Sequence, residues 1–146
     1  RFATFMDVAA ITRQVRPEEL CHVQGRRDFP ALRALAQLRS HLDESGWAWG
    51  VSGSAGFELA SGFDALHEGS DLDLILRTPS PLSRVDAQAL VAALDTAVCR
   101  VDLQLQTPFG AVALREWAGA SSRVLLKNAI QATLVTDPWS LQEQAA

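Results

Sequence analysis

Asp71-Leu72-Asp73-Leu74-Ile75-Leu76 is the stretch on which the reading of this chain turns. Its first four residues alternate polar and apolar, the period of a strand with one buried face, so both aspartates fall on the same side. Upstream, Trp47-Ala48-Trp49-Gly50-Val51 reads as a second, buried strand, followed by a Gly53-Ser54 turn and a short helix through Phe57, Leu59 and Ala60. Downstream, Cys99-Arg100-Val101-Asp102-Leu103-Gln104-Leu105 alternates again, with Arg100, Asp102 and Gln104 on its polar side.

Helices are expected between and around these strands. Pro17 with Glu18 and Glu19 marks a short helix start, and Pro30 opens a longer one in which Leu32, Leu35, Leu38 and Leu42 form an apolar stripe ended by Gly46. Ser83 caps a helix over 84–97, with Val85, Ala89, Leu90, Ala93 and Leu94 expected to face inward. Residues 109–119 are expected to form a further helix ending at Gly119, and the tail holds two strands, near Arg123–Lys127 and Ala132–Val135. The whole predicts an α/β (α+β) fold, a mixed sheet with flanking helices, as one domain of 146 residues.

Composition narrows the function classes. A formal charge of −4 argues against a non-specific nucleic-acid binder, which neutralises phosphates with a surplus of Lys and Arg. No apolar run reaches the roughly 20 residues that span a membrane. The two cysteines, Cys21 and Cys99, lack metal-ligand spacing and read as reduced thiols of a cytoplasmic protein.

The chemistry lies in the acids. If the strands carrying Asp71, Asp73 and Asp102 are sheet neighbours, three carboxylates converge at one edge. Clustered anions repel, so the cluster calls for a hard, oxygen-seeking cation such as Mg²⁺, or Mn²⁺ in its place. Two such ions, about 3.5–4 Å apart, activate the attacking oxygen and neutralise the leaving group in phosphoryl and nucleotidyl transfer. Gly53 permits close approach of backbone to a phosphate, the following helix start offers free N–H groups, and Ser54 adds a hydroxyl.

Other residues carry bland and sharp readings together. Glu58, one turn after Ser54, reads as a solvated helix position with a weaker claim to metal-bound water. Arg77, Arg115, Arg123 and Lys127 read either as surface charge or as phosphate binders. Of Trp47 and Trp49, at least one is expected in the core. His67 reads as a loop residue, and Arg26, Arg27, Arg33 and Arg39 as solubilising charge or a docking surface for an acidic partner.

The ordered set of Gly53-Ser54, Asp71-Leu72-Asp73 and Asp102 resembles the core pattern of the polymerase-β-like nucleotidyltransferase superfamily. A closer resemblance runs through Trp49-Gly50-Val51-Ser52-Gly53-Ser54-Ala55-Gly56-Phe57-Glu58, Ser70-Asp71-Leu72-Asp73-Leu74, Cys99-Arg100-Val101-Asp102-Leu103-Gln104, Pro108-Phe109-Gly110 through Trp117, Val124-Leu125-Leu126-Lys127 and Asp137-Pro138-Trp139. These segments are similar to the malonate decarboxylase holo-acyl-carrier-protein synthase family.

That resemblance implies a nucleotidyltransferase-like fold. It implies transfer of a phosphoribosyl-dephospho-coenzyme A group from triphosphoribosyl-dephospho-coenzyme A to a serine of the acyl-carrier subunit of malonate decarboxylase, releasing diphosphate. Asp71 and Asp73 would hold the metals, Gly53 and Ser54 the departing diphosphate, and Asp102 the metal nearest the serine hydroxyl, either as ligand alone or also as the base that takes its proton. Arg123 and Lys127, beside and within the Val124-Leu125-Leu126-Lys127 segment, are the cations it favours for the substrate's phosphates. The family is usually longer at its N-terminus, so the chain is expected to be the catalytic domain without the preceding segment. An acceptor other than the carrier, small molecule or protein, is the enzymatic alternative. A domain that only binds carrier or nucleotide is the non-enzymatic one.

Overall fold

A computed structural model describes residues 16–21 and 28–140. The elements are a 3₁₀ turn at Pro17–Leu20, α1 at Pro30–Glu44, β1 at Ala48–Ser52, α2 at Gly53–Ser61, β2 at Leu72–Arg77 and α3 at Arg84–Leu94. They continue with β3 at Val101–Thr107, β4 at Gly110–Ala113, α4 at Leu114–Ala118, β5 at Val124–Lys127 and β6 at Ala132–Val135. Arg26 and Arg27 lie outside the described residues.

The strands form one six-stranded mixed sheet in sequence order, β1-β2-β3-β4-β5-β6. Only β2 and β3 are parallel, because α3 carries the chain back to the starting edge; every other neighbour is antiparallel. The alternation legible in the sequence separates the two faces. Val51, Leu72, Leu74, Leu76, Val101, Leu103, Leu105, Val112 and Leu126 are buried in one core with Leu35, Leu38 and Leu42 of α1, Leu94 of α3 and Leu114 of α4. The opposite face carries Asp73, Asp102, Gln104 and Gln106, all half-buried.

On that second face, the 3₁₀ turn packs across β1. A side-chain carbon on Gly50 would lie 2.5 Å from both the Pro17 carbonyl oxygen and the Glu18 nitrogen, so only glycine lets the turn approach. Glu18 then reaches Arg77 at the end of β2, and the Cys21 thiol donates to the Trp49 carbonyl. Burial is the main cause of a Cys21 pKa pushed up to about 11. At the far side, Trp117 donates from its indole nitrogen to Leu82, lies under the Arg84 guanidinium and meets Trp139 edge-on at 5.2 Å. Those contacts fasten the Asp137-Pro138-Trp139 tail to α3 and α4.

Two expectations are corrected. Residues 109–119 are not one helix: Gly110, at φ 151°, turns β3 back into β4, and helix begins only at Leu114. The β3–β4 pairing, with Thr107 opposite Gly110, overrides the helical reading of Ala111-Val112-Ala113. In α3 the buried stripe is Ala87 and Leu94 with Leu90 and Val91 partly buried, and Val85 is 72% exposed. Val85 and Ala89 lie out of phase with the buried positions 87 and 94.

Trp49 is buried and its indole nitrogen donates to Asp43, while Trp47 is half-buried. Among the described residues, no helix is long and apolar enough to cross a membrane.

Candidate active site

The parallel pairing of β2 and β3 sets Asp73 opposite Asp102, and the antiparallel pairing of β1 and β2 sets Ser52 opposite Asp73. Ser52, Asp73 and Asp102 therefore form one rung across three strands, with neighbouring backbones about 4.8 Å apart. Asp71 lies just before β2, exposed, and the Leu72 amide between the two aspartates donates to the Arg100 carbonyl, which ties the strand starts together.

The turn after Ser52 completes the edge. Gly53 opens α2 with φ +63°, a left-handed backbone that side chains disfavour. It also lies directly against Asp73: a side-chain carbon at Gly53 would overlap the Asp73 Oδ2 and come within 2.9 Å of its Cβ and Cγ. The glycine needed for a phosphate turn is thus also needed to seat the carboxylate. Ser54 follows on the first turn of α2, exposed.

Neighbouring acids act on one of these carboxyls. Burial, then the charges of Asp102 and Asp71, push the Asp73 carboxyl above its ordinary range. Asp102 takes the Arg100 guanidinium, whose Nε donates to both carboxylate oxygens at 3.2 and 3.4 Å. Arg115 bonds the Val101 carbonyl at 3.0 Å and pairs with Asp95, supporting the start of β3 from α4.

The 62–70 loop is anchored from within. Glu58, expected as a solvated helix position, is 7% exposed, and its Oε1 accepts from the Ala65 and Leu66 amides at 2.8 and 2.9 Å. The loop folds back over α2, burying Leu66, and so draws Glu58 inward. Gly62 ends α2 in the left-handed conformation at φ 79°, and His67 and Ser70 close the final turn before Asp71. His67 is an exposed loop residue whose Nδ1 accepts from the Gly69 amide.

The cations divide. Arg77 is engaged by Glu18 at the opposite end of β2 from Asp73. Lys127 is level with Ala111, and through it with Gln106, four residues along β3 from Asp102 and two strands away. Arg123 is exposed just ahead of β5, toward the Asp102 end of the sheet. The fold brings Gly53, Ser54, Asp71, Asp73 and Asp102 to one edge, with Arg123 nearer that edge than Lys127.

As placed, no three His, Cys, Asp or Glu side chains among the described residues are gathered closely enough to enclose a cation. The donor set still fits a hard divalent ion in chemistry: carboxylate oxygens on one face, with Asp73 and Asp102 in register and their negative charges opposed. A cation there would relieve the repulsion that Arg100 now offsets on Asp102 alone.

Fold and site together define a mixed α/β domain with a paired-carboxylate edge beside a glycine turn. Residues 19–138 match the family model described as the phosphoribosyl-dephospho-CoA transferase MdcG C-terminal domain. The phosphoribosyl-dephospho-CoA transferase of Pseudomonas fluorescens strain Pf0-1 is 66% identical over 146 residues, covering 100% of this chain and 71% of that protein. That of Pseudomonas putida strain W619 is 53% identical over the same share of each, and that of Azotobacter vinelandii is 54% identical over 95% of this chain and 68% of its own length. No solved structure matches. The chain belongs to the phosphoribosyl-dephospho-CoA transferase family, and so to the transferases.

Proposed function

We propose that this chain transfers the phosphoribosyl-dephospho-coenzyme A group from triphosphoribosyl-dephospho-coenzyme A to a serine hydroxyl on the acyl-carrier subunit of malonate decarboxylase. The observation that carries the reading is the rung of Asp73 and Asp102 beside Gly53, in a chain of this family. The serine oxygen forms a bond to the phosphorus attached to the ribose, the bond from that phosphorus to the bridging oxygen breaks, and diphosphate departs with the electron pair.

Asp71, Asp73 and Asp102 would hold Mg²⁺, which supplies Lewis acidity to the attacking and leaving oxygens. The chain's own groups do the rest. Asp102, on the strand beside the aspartate pair, orients the serine hydroxyl and takes its proton. Ser54 and the Gly53 backbone hold the departing diphosphate at the start of α2. Arg123 and Lys127 take phosphates of the substrate away from the reacting phosphorus. Two free thiols and the lack of a spanning helix among the described residues agree with a cytoplasmic setting.

The test is incorporation of labelled prosthetic group into apo carrier protein with Mg²⁺ present. Label should appear on one serine, diphosphate should be released in equal amount, and Asp71→Ala with Asp73→Ala should abolish both. Consumption of ordinary nucleoside triphosphates without the precursor would instead favour another acceptor.

A further inference from the structure

Among the described residues, one buried side-chain polar atom has no hydrogen-bond partner: Oε1 of Gln104. Native folds seldom leave a buried acceptor unpaired, because its lost hydration is then uncompensated. The position of this one is informative. Gln104 lies on the same sheet face as Asp102, two residues further along β3, and its ladder neighbours are Ile75 on β2 and Ala113 on β4.

Neither neighbour has a side-chain donor. Asp102, the next residue on the face, is acceptor-only as a carboxylate and is engaged by Arg100. Ile75, on the same face, is apolar and 7% exposed, so it supplies no donor there. Two steps along a strand span about 7 Å, comparable to the reach from a 5-phosphate to the hydroxyls of its own ribose.

We propose that Gln104 is a specificity-determining residue, its side-chain oxygen accepting a hydrogen bond from a hydroxyl of the ribose that bears the triphosphate. This rests on the substrate reading above. The missing donor then belongs to the substrate, and a substrate lacking it leaves the acceptor unpaired as it is in the free protein, so that it forgoes one hydrogen bond.

The experiment is calorimetric titration of the full chain, without acceptor protein so that no transfer occurs, using the precursor and an analogue whose triphosphate-bearing ribose lacks both hydroxyls. The parent should bind the precursor about tenfold more tightly than the analogue, a hydrogen bond's worth of discrimination. Gln104→Met should bind the two within twofold of each other. Its melting temperature should equal or exceed the parent's, since an unpaired buried acceptor has been removed, whereas a purely structural glutamine would lose stability. Equal affinity of the parent for both ligands overturns the assignment without recourse to any variant, as does unchanged discrimination in Gln104→Met. If the parent binds nucleoside triphosphates but not the precursor, the substrate reading itself falls, and this assignment with it.

Discussion

The Asp73 carboxylate occupies the space that a side chain at Gly53 would need. Replacing Gly53 with alanine thus does two things: it forces a left-handed backbone onto a residue with a Cβ, and it pushes the carboxylate off its seat. We expect Gly53→Ala to lose about 1–3 kcal/mol of stability. Transfer should fall about a hundredfold, the scale set by an ångström of misplacement in a reacting group. Ser54→Ala, at an exposed position with no backbone constraint, should leave stability unchanged. Urea unfolding and steady-state transfer assays on the two variants separate these effects.

Glu58 fixes the loop that delivers Asp71, through two amides bonded to a single carboxylate oxygen. Glu58→Ala should destabilise by about 2–3 kcal/mol, because it strands both donors. Glu58→Gln retains an acceptor oxygen in the same place and should recover most of that loss. Hydrogen exchange at Ala65 and Leu66 is the local readout: fast in the alanine variant, slow in the glutamine variant.

Gly50→Ala tests the docking of the Pro17–Leu20 turn. The added methyl meets main chain on both sides of the Pro17–Glu18 peptide, which cannot rotate out of the way as a side chain can. A loss of about 1–3 kcal/mol is expected, together with separation of Glu18 from Arg77. Thermal melts of Gly50→Ala and of the double variant with Glu18→Gln check this, since the second change should add little once the turn has lifted.

The Glu18–Arg77 pair also sets an acid limb. Its hydrogen bond from Arg77 holds the Glu18 carboxyl below its ordinary value of 4.5. A folded pKa below the unfolded one means the native state resists protonation. The contribution is therefore present above pH 4.5 and fades as pH falls through the lower folded value. Glu18→Gln should cost about 0.5 kcal/mol at neutral pH, since solvent screens the pair, and should flatten the fall in stability below pH 4.5. Urea midpoints from pH 3 to pH 7 measure it.

Much of this was legible in the sequence. Alternation in Asp71–Leu76 and Cys99–Leu105 predicts both central strands and the shared face of Asp73 and Asp102, because a period of two admits no other placement once one face is buried. Gly53 was readable as a turn glycine, but its contact with Asp73 depends on the β1–β2 register, which no local pattern encodes. Glu58 reads as solvated for a similar reason: its partners, Ala65 and Leu66, bond through backbone amides, and backbone leaves no signature in side-chain chemistry. The Gly110 hairpin was hidden by Ala111-Val112-Ala113, whose helical and strand readings differ only in what lies alongside. Alternation puts Gln104 on the polar face; that its oxygen is buried and unpaired depends on packing.

The proposed function requires that Asp73 and Asp102, with Asp71, hold the divalent ion on which transfer depends. Its most direct test is calorimetric Mn²⁺ titration in the presence of the triphosphate precursor, on the parent chain and on Asp102→Ala. We predict saturable Mn²⁺ binding by the parent and at least a tenfold weakening in Asp102→Ala, with its melting temperature retained. Identical Mn²⁺ binding by the two proteins, or none by the parent while label transfer proceeds undiminished in excess chelator, would contradict it.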